Sequence, residues 1–147
     1  MTAVRTNTAT ILNDARLTTD GEFLLSSASI LEITTGLALI AVPSYFVHML
    51  VGLEVFGAGV FVGRLCGIGL LSLGLACWPV RADRGLGGTI RGLRAMLTYN
   101  FLAAAYLGYL RLGRDLTGVL LWPAVIVHTL FAIGFALAVW KPRAVSL

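Results

Sequence analysis

The chain has 147 residues, which is enough for one domain and too few for two ordinary ones. Hydrophobic residues make up 58% of it and charged residues 12%, whereas water-soluble domains typically carry about 25% charged residues. This composition excludes an ordinary soluble domain and predicts a membrane protein. The net charge is +4, but the arginines stand in short clusters between apolar runs, as in loops that face anionic lipid. We therefore expect no nucleic-acid partner.

The first part of the chain predicts a polar segment followed by a membrane span. Residues 1–22 are polar and threonine-rich, and we expect a cytoplasmic segment there, either a short interfacial helix or a flexible tail, without a cleavable signal peptide. The first apolar run, residues 23–42, is long enough to cross the roughly 30 Å of hydrocarbon as a helix. Pro43 ends it. The glycine-interrupted stretch 43–59, which contains His48, is predicted to connect the spans at the membrane surface.

Three further apolar runs complete the pattern. They predict a second span at about residues 60–78, a third at about 95–112 and a fourth at about 119–140, followed by a cytoplasmic tail, 141–147. The fold class predicted for residues 23–140 is therefore all-α, an integral membrane bundle of four helices.

The basic residues predict how this bundle is oriented. Eight of them fall at the two ends of the chain and between the second and third spans: Arg5, Arg16, Arg81, Arg84, Arg91, Arg94, Lys141 and Arg143. The opposite side carries only Arg111 and Arg114, since Arg64 lies within the second span. Because cytoplasmic segments carry the excess of lysine and arginine, both termini are predicted to be cytoplasmic.

A row of glycines marks one face of the second span. Gly59, Gly63 and Gly67 recur at every fourth position, and Gly74 continues the same face one heptad later. In lipid, small residues let two helix backbones approach closely. The row therefore predicts a helix-packing contact, either within the bundle or between two copies of the chain.

Polar side chains within the spans predict a buried cluster. Each costs a few kcal/mol in hydrocarbon unless it is satisfied, and all four spans contribute to the set: Glu32, Arg64, Tyr99, Asn100 and His128. At about 1.5 Å per residue, these groups approach the middle of the membrane. We expect an ion pair between Arg64 and Glu32, with His128 as a hydrogen-bonding third member. The cluster either fixes helix packing or forms a proton-linked or ligand-binding site, unless the helices rotate these groups apart.

The sequence does not favour a disulfide, a haem, a metal site or a catalytic motif. Cys66 and Cys77 are eleven residues apart on one predicted helix, about 16 Å, which is too far for a disulfide, and we expect both in the core. His48 and His128 differ in predicted depth, which disfavours a haem between them. The sequence has no zinc-ligand spacing, nucleophile elbow or phosphate loop. We therefore predict no catalytic residue and no metal, and a non-enzyme is favoured.

Three sequence segments resemble a known group of membrane proteins. They are GRLCGIGLLSLGLACW at 63–78, YNFLAAAYL at 99–107 and WPAVIVHTLFA at 122–132. In this order they resemble small bacterial four-helix membrane proteins of the DoxX-like kind, over about residues 23–140. The resemblance implies a bundle in the bacterial inner membrane, often without an assigned activity. It also implies a link, for some DoxX-type proteins, to thiosulfate–quinone oxidoreductase complexes.

Three functions follow as hypotheses. The first is a non-catalytic accessory or assembly subunit, acting in a homodimer or a larger membrane complex. The second is a redox accessory protein that holds a quinone or a similar apolar ligand near Arg64, Tyr99 and His128. The third is a small proton-coupled transporter, which would need a dimer to enclose a path and lacks the inverted repeats typical of transporters. Quinone is the one cofactor that these hypotheses include.

Overall fold

The computed structural model describes residues 8–79 and 86–140, and within them the chain is helical without any strand. The helices are α1 (Thr8–Ala41), α2 (Pro43–Val51), α3 (Ala58–Cys77), α4 (Leu86–Gly113) and α5 (Leu121–Trp140). The predicted all-α class is confirmed. The first seven residues, Arg81 and Arg84 of the basic loop, and the predicted tail at 141–147 lie outside the described residues.

Three of the described helices are long and apolar enough to cross a membrane, by length and composition: Thr19–Ala41, Ala58–Cys77 and Leu121–Trp140. Their outer faces expose large apolar side chains such as Leu65 and Leu130, at 68% and 63% of their surface. Such continuous apolar surface suits lipid as the surrounding solvent. Helix α4 is not among the three, since it is interrupted by more polar side chains, Asn100, three tyrosines and Arg111.

Two helices extend beyond the spans predicted for them. Helix α1 begins at Thr8, so residues that were expected to form a short interfacial helix or a flexible tail continue directly into the first span. Helix α4 begins at Leu86 rather than near residue 95, and Arg91 and Arg94 therefore lie on a helix instead of in a loop. Loss of hydropathy marks where a helix leaves lipid, whereas backbone hydrogen bonding continues until a capping or breaking residue is reached.

The connection after α1 forms a short helix. Pro43 stands at its start, where the missing N–H group is not needed. Gly52 ends it in the left-handed conformation, with φ of 78° and its N–H group donating to the His48 carbonyl at 2.7 Å. Ser44 Oγ then donates to the carbonyl oxygen of Val55 at 2.9 Å, which holds the following loop against the start of α2.

Helix α1 packs along α3, and α4 packs along α5. The contact between α1 and α3 follows part of the glycine row, because the buried Gly67 and Gly74 face α1, while the buried Gly63 faces Pro43 at the start of α2. A Cβ atom at Gly67 would lie 2.7 Å from the Gly36 carbonyl oxygen, so these two backbones are in direct contact. Gly59 does not share this contact, since its neighbour is Val55 of the preceding loop.

The two helix pairs meet at both ends. At one end, four long helices contribute to a buried apolar cluster: Leu25, Ala28, Cys77, Leu93, Met96 and Phe135. At the other end, the Leu120 N–H group donates to the Met49 carbonyl oxygen at 2.9 Å, which joins α2 to the start of α5. Between these ends α3 and α4 make few contacts, and a gap is left between the pairs.

Candidate functional site

The central polar pair of the site joins α4 to α5. Asn100 is completely buried, and its Oδ1 atom lies 2.8 Å from His128 Nδ1. Asn100 Nδ2 donates to the Met96 carbonyl oxygen at 2.9 Å. A carbonyl oxygen only accepts, so the amide group of Asn100 has one acceptable orientation. Its oxygen must face His128, and His128 Nδ1 must be the donor.

Tyr99 links this pair to α1. Its ring stands edge-on to the His128 ring, with the centroids 5.6 Å apart and the planes at 81°. Its hydroxyl group lies near the Glu32 carboxyl group. Glu32 is only 1% exposed. The structure therefore brings Glu32, Tyr99, Asn100 and His128 together from three helices.

A buried polar residue next to the cluster on α1 was missed by sequence reasoning. Ser29 lies one helical turn before Glu32 and is fully buried. Neither Ser29 Oγ nor Glu32 Oε1 has a hydrogen-bond partner among the described residues. The spacing of three residues, which places both side chains on one face of α1, was the available signal.

Arg64 does not join the cluster. Its side chain is exposed on α3, and the Arg64–Glu32 ion pair that was predicted is absent. Arg111 of α4, by contrast, forms a salt bridge with Asp115 at 3.8 Å. The reason is helix rotation: the adjacent Gly63 is buried and faces Pro43 at the start of α2, so Arg64, about 100° further round the helix, faces outward. From there its long side chain can extend toward the membrane surface.

A cavity of about 750 Å³ lies beside the cluster. This is within the range of roughly 300–1,000 Å³ typical of sites for small molecules. All five helices line it, mostly with apolar side chains such as Leu39, Leu70 and Leu107. Thr35, Tyr99 and His128 provide polar groups on its wall, whereas Glu32 and Asn100 are not among its lining residues.

One prediction about a single residue changes at the cavity. Cys66 was expected in the core, but it is exposed and lines the cavity, while Cys77 is buried as expected; both thiols are free. His48 is exposed on α2 and is not part of the cavity wall. Within the described part of the chain, no group of three His, Cys, Asp or Glu residues is arranged to hold a metal ion.

Comparison of the chain with protein-family models, with curated proteins and with solved structures finds no match. The DoxX-like resemblance is therefore neither supported nor refuted by relatives, and the function has to be argued from the site itself.

Proposed function

We propose that this chain is a non-catalytic, multi-pass membrane protein that holds a lipid-soluble ligand with a polar head group. The observation that carries the proposal is the apolar cavity of about 750 Å³ with Tyr99 and His128 on its wall. A polar network that only held helices together would pair its groups with one another. Here His128 uses Nδ1 within the network, while Nε2 has no protein partner among the described residues. A ligand head group would supply that partner.

The bilayer itself is the natural source of such a ligand. Helices α3 and α4 make few contacts with each other, and both contribute residues to the cavity. A gap between two helices opens sideways into lipid, so an apolar molecule would enter without crossing water. A quinone, which has an apolar tail and a ring bearing oxygen atoms, belongs to this class of ligand and agrees with what the DoxX-like resemblance implies. An accessory subunit in a homodimer or larger complex would present this ligand to a partner.

The same proposal includes four membrane crossings with both termini cytoplasmic, in a bacterial inner membrane. Residues 95–110 of α4 carry no charge and extend about 24 Å as a helix, and flanking arginines can reach the interfaces from there. The bond from Leu120 to Met49 supports this, because it places the loop after α4 beside α2, the short helix that follows α1. The excess of basic residues at the opposite end supports a cytoplasmic location for that end.

The cavity can be filled by a substitution that disturbs little else. Gly69 lines the cavity, and a Cβ atom there would meet no heavy atom within 4 Å. Gly69→Leu should therefore fit without moving a helix and occupy part of the ligand volume. Gly108→Leu is the matched control, since Gly108 is also helical and open but lines none of the described cavities.

The test is the apolar content of protein purified in native-membrane nanodiscs, extracted with organic solvent and quantified by mass spectrometry. We expect a non-phospholipid apolar molecule to accompany the wild type and Gly108→Leu, and to be largely lost from Gly69→Leu. Equal content in all three proteins, or a wild type that carries no such molecule, would overturn the proposal.

A further inference from the structure

We infer that the cavity selects ligands whose head group donates a hydrogen bond, such as a phenol, an alcohol or the reduced quinol form of a quinone, over ligands whose head group only accepts one, such as the oxidised quinone. This inference rests on the proposed ligand-binding function and specifies the chemistry of the head group. It follows from a chain of hydrogen bonds that runs from the Met96 carbonyl through the Asn100 amide to the His128 ring on the cavity wall, and that fixes which atom donates at each step.

The first step is the orientation of Asn100. The Met96 carbonyl oxygen accepts from Asn100 Nδ2 at 2.9 Å, and rotating the amide by 180° would place two oxygen atoms against each other. Asn100 Oδ1 therefore faces His128 Nδ1, at 2.8 Å, and accepts from it. The proton on Nδ1 is thus specified by the protein rather than by the ligand.

The second step concerns the other ring nitrogen. Among the described residues no carboxylate lies within salt-bridge distance of His128, so nothing there compensates an imidazolium charge inside the membrane. A neutral imidazole carries one proton, and with that proton on Nδ1 the Nε2 atom presents a lone pair. Nε2 is therefore an acceptor without a protein donor.

The third step is what this acceptor can bind. A hydroxyl group donates to Nε2, whereas a ketone or an ether would bring a second lone pair against it and leave both acceptors unsatisfied. The hydroxyl groups of Tyr99 and Thr35, which also line the cavity, do not change this, because neither donates to Nε2. The apolar wall fits the ligand's tail, and Nε2 selects its head group.

Three probes with the same tail test the inference. They are para-nonylphenol, its methyl ether, and para-nonylacetophenone, each used in nanodiscs to compete with an alkylphenol that carries a photoactivatable diazirine in its tail. Cross-links are mapped by mass spectrometry to residues of the cavity wall. We expect the phenol to compete at a mole fraction about tenfold lower than the ether or the ketone, which corresponds to one hydrogen bond to an otherwise unsatisfied acceptor.

Two variants separate this selection from a merely structural role of His128. His128→Phe keeps a ring beside Tyr99 but removes Nε2, and should bring the phenol-to-ether ratio close to one. Asn100→Leu, of similar shape, removes the acceptor that holds the proton on Nδ1. The proton can then occupy Nε2, and binding of the ketone should improve relative to the phenol. A His128→Phe variant that retains the tenfold preference would contradict the inference.

The outcomes also distinguish this inference from the function on which it rests. Equal competition by phenol and ether in the wild type, with cross-linking abolished by Gly69→Leu, would overturn the selectivity and leave ligand binding intact. If no probe competes, or if Gly69→Leu leaves cross-linking unchanged, both the head-group selectivity and the proposed ligand-binding function are overturned. Nitrogen-15 NMR of wild-type protein, assigned with His48→Gln, provides a measurement that needs no change at the site. A proton on Nε2 of His128 rather than on Nδ1 would also overturn the selectivity.

Discussion

Asn100 connects two helices and also determines the chemistry of its partner. Its Nδ2 atom is used within α4, on the Met96 carbonyl, while its Oδ1 atom reaches across to His128 on α5. Interhelical hydrogen bonds in membranes contribute modestly to stability, on average about 0.6 kcal/mol and at most about 1.7 kcal/mol, because the separated helices also find partners. The pair is therefore expected to fix geometry more than to provide most of the stability.

A double-mutant cycle measures this contribution at the residue scale. We expect Asn100→Leu and His128→Phe to couple by about 0.6–1.7 kcal/mol in the free energy of unfolding, followed by titration of detergent micelles with sodium dodecyl sulfate. Ser72→Ala combined with His128→Phe serves as control, because exposed Ser72 donates only to Ile68 of its own helix. A coupling of zero between Asn100 and His128 would show that their hydrogen bond does not form.

Four of the five polar residues could be placed from the sequence alone. Polarity and depth along the helix axis were sufficient to group Glu32, Tyr99, Asn100 and His128, since buried polar groups in hydrocarbon must find one another. The depth of a residue along the helix axis does not show in which direction around the helix its side chain points. Arg64 was assigned to the cluster on depth alone, and this is why the assignment was wrong. Its neighbour Gly63, which is buried against Pro43, indicates that Arg64 points outward.

At the scale of whole helices, the contact between α1 and α3 depends on glycines on both sides. A Cβ atom at Gly36 would lie 2.7 Å from the Gly67 carbonyl oxygen and 2.7 Å from the Leu71 backbone nitrogen. A Cβ atom at Gly67 would lie 2.7 Å from the Gly36 carbonyl oxygen. Backbone atoms cannot rotate away as side chains do, so a methyl group at either position must separate the helices.

Alanine substitutions test this contact. Gly36→Ala and Gly67→Ala should each lower the free energy of unfolding by about 1–3 kcal/mol, the usual cost of overpacking. Gly108→Ala should be neutral or slightly stabilising, because a Cβ atom there meets no heavy atom within 4 Å and alanine favours a helix. Thermal unfolding in detergent compares the three variants. Equal stability of all three would mean that α1 and α3 are further apart than the structure places them.

The glycine row predicted the packing face of α3 but not its partner. The spacing of glycines along one helix shows which of its faces is lined by small residues, but in lipid any of several neighbouring helices can pack against such a face. The matching residue, Gly36, stands without a similar row on α1 and was therefore not singled out. Helix ends were also less predictable than helix faces, because hydropathy reports the part of a helix that lies in lipid.

At the scale of the whole molecule, the cavity results from how two helix pairs are joined. The apolar cluster around Met96 and Phe135 closes one end, and the bond from Leu120 to Met49 closes the other. Where α3 and α4 separate between these ends, the cavity remains. No local sequence pattern predicts such a space, since its lining comes from five helices whose relative positions are set by tertiary packing.

The number of crossings decides whether this arrangement is correct. If α4 crosses the membrane, the loops containing Glu54 and Asp115 lie on the same side; if it does not, they lie on opposite sides. Both side chains are exposed, so Glu54→Cys and Asp115→Cys can each be labelled in a background of Cys66→Ala and Cys77→Ala. Arg91→Cys, exposed near the other end of α4, is the control for the cytoplasmic side.

We expect a membrane-impermeant maleimide to label both loop cysteines in intact cells, and to label Arg91→Cys only after the cells are permeabilised. The physical reason is the contact between the loop after α4 and α2, which ends just before the loop with Glu54: the Leu120 N–H group reaches the Met49 carbonyl at 2.9 Å, and no bilayer fits between them. Labelling of Glu54→Cys without Asp115→Cys would mean that α4 stays on one side. The cavity between α3 and α4 would then not exist inside the membrane, and a ligand from the bilayer would have no route to His128.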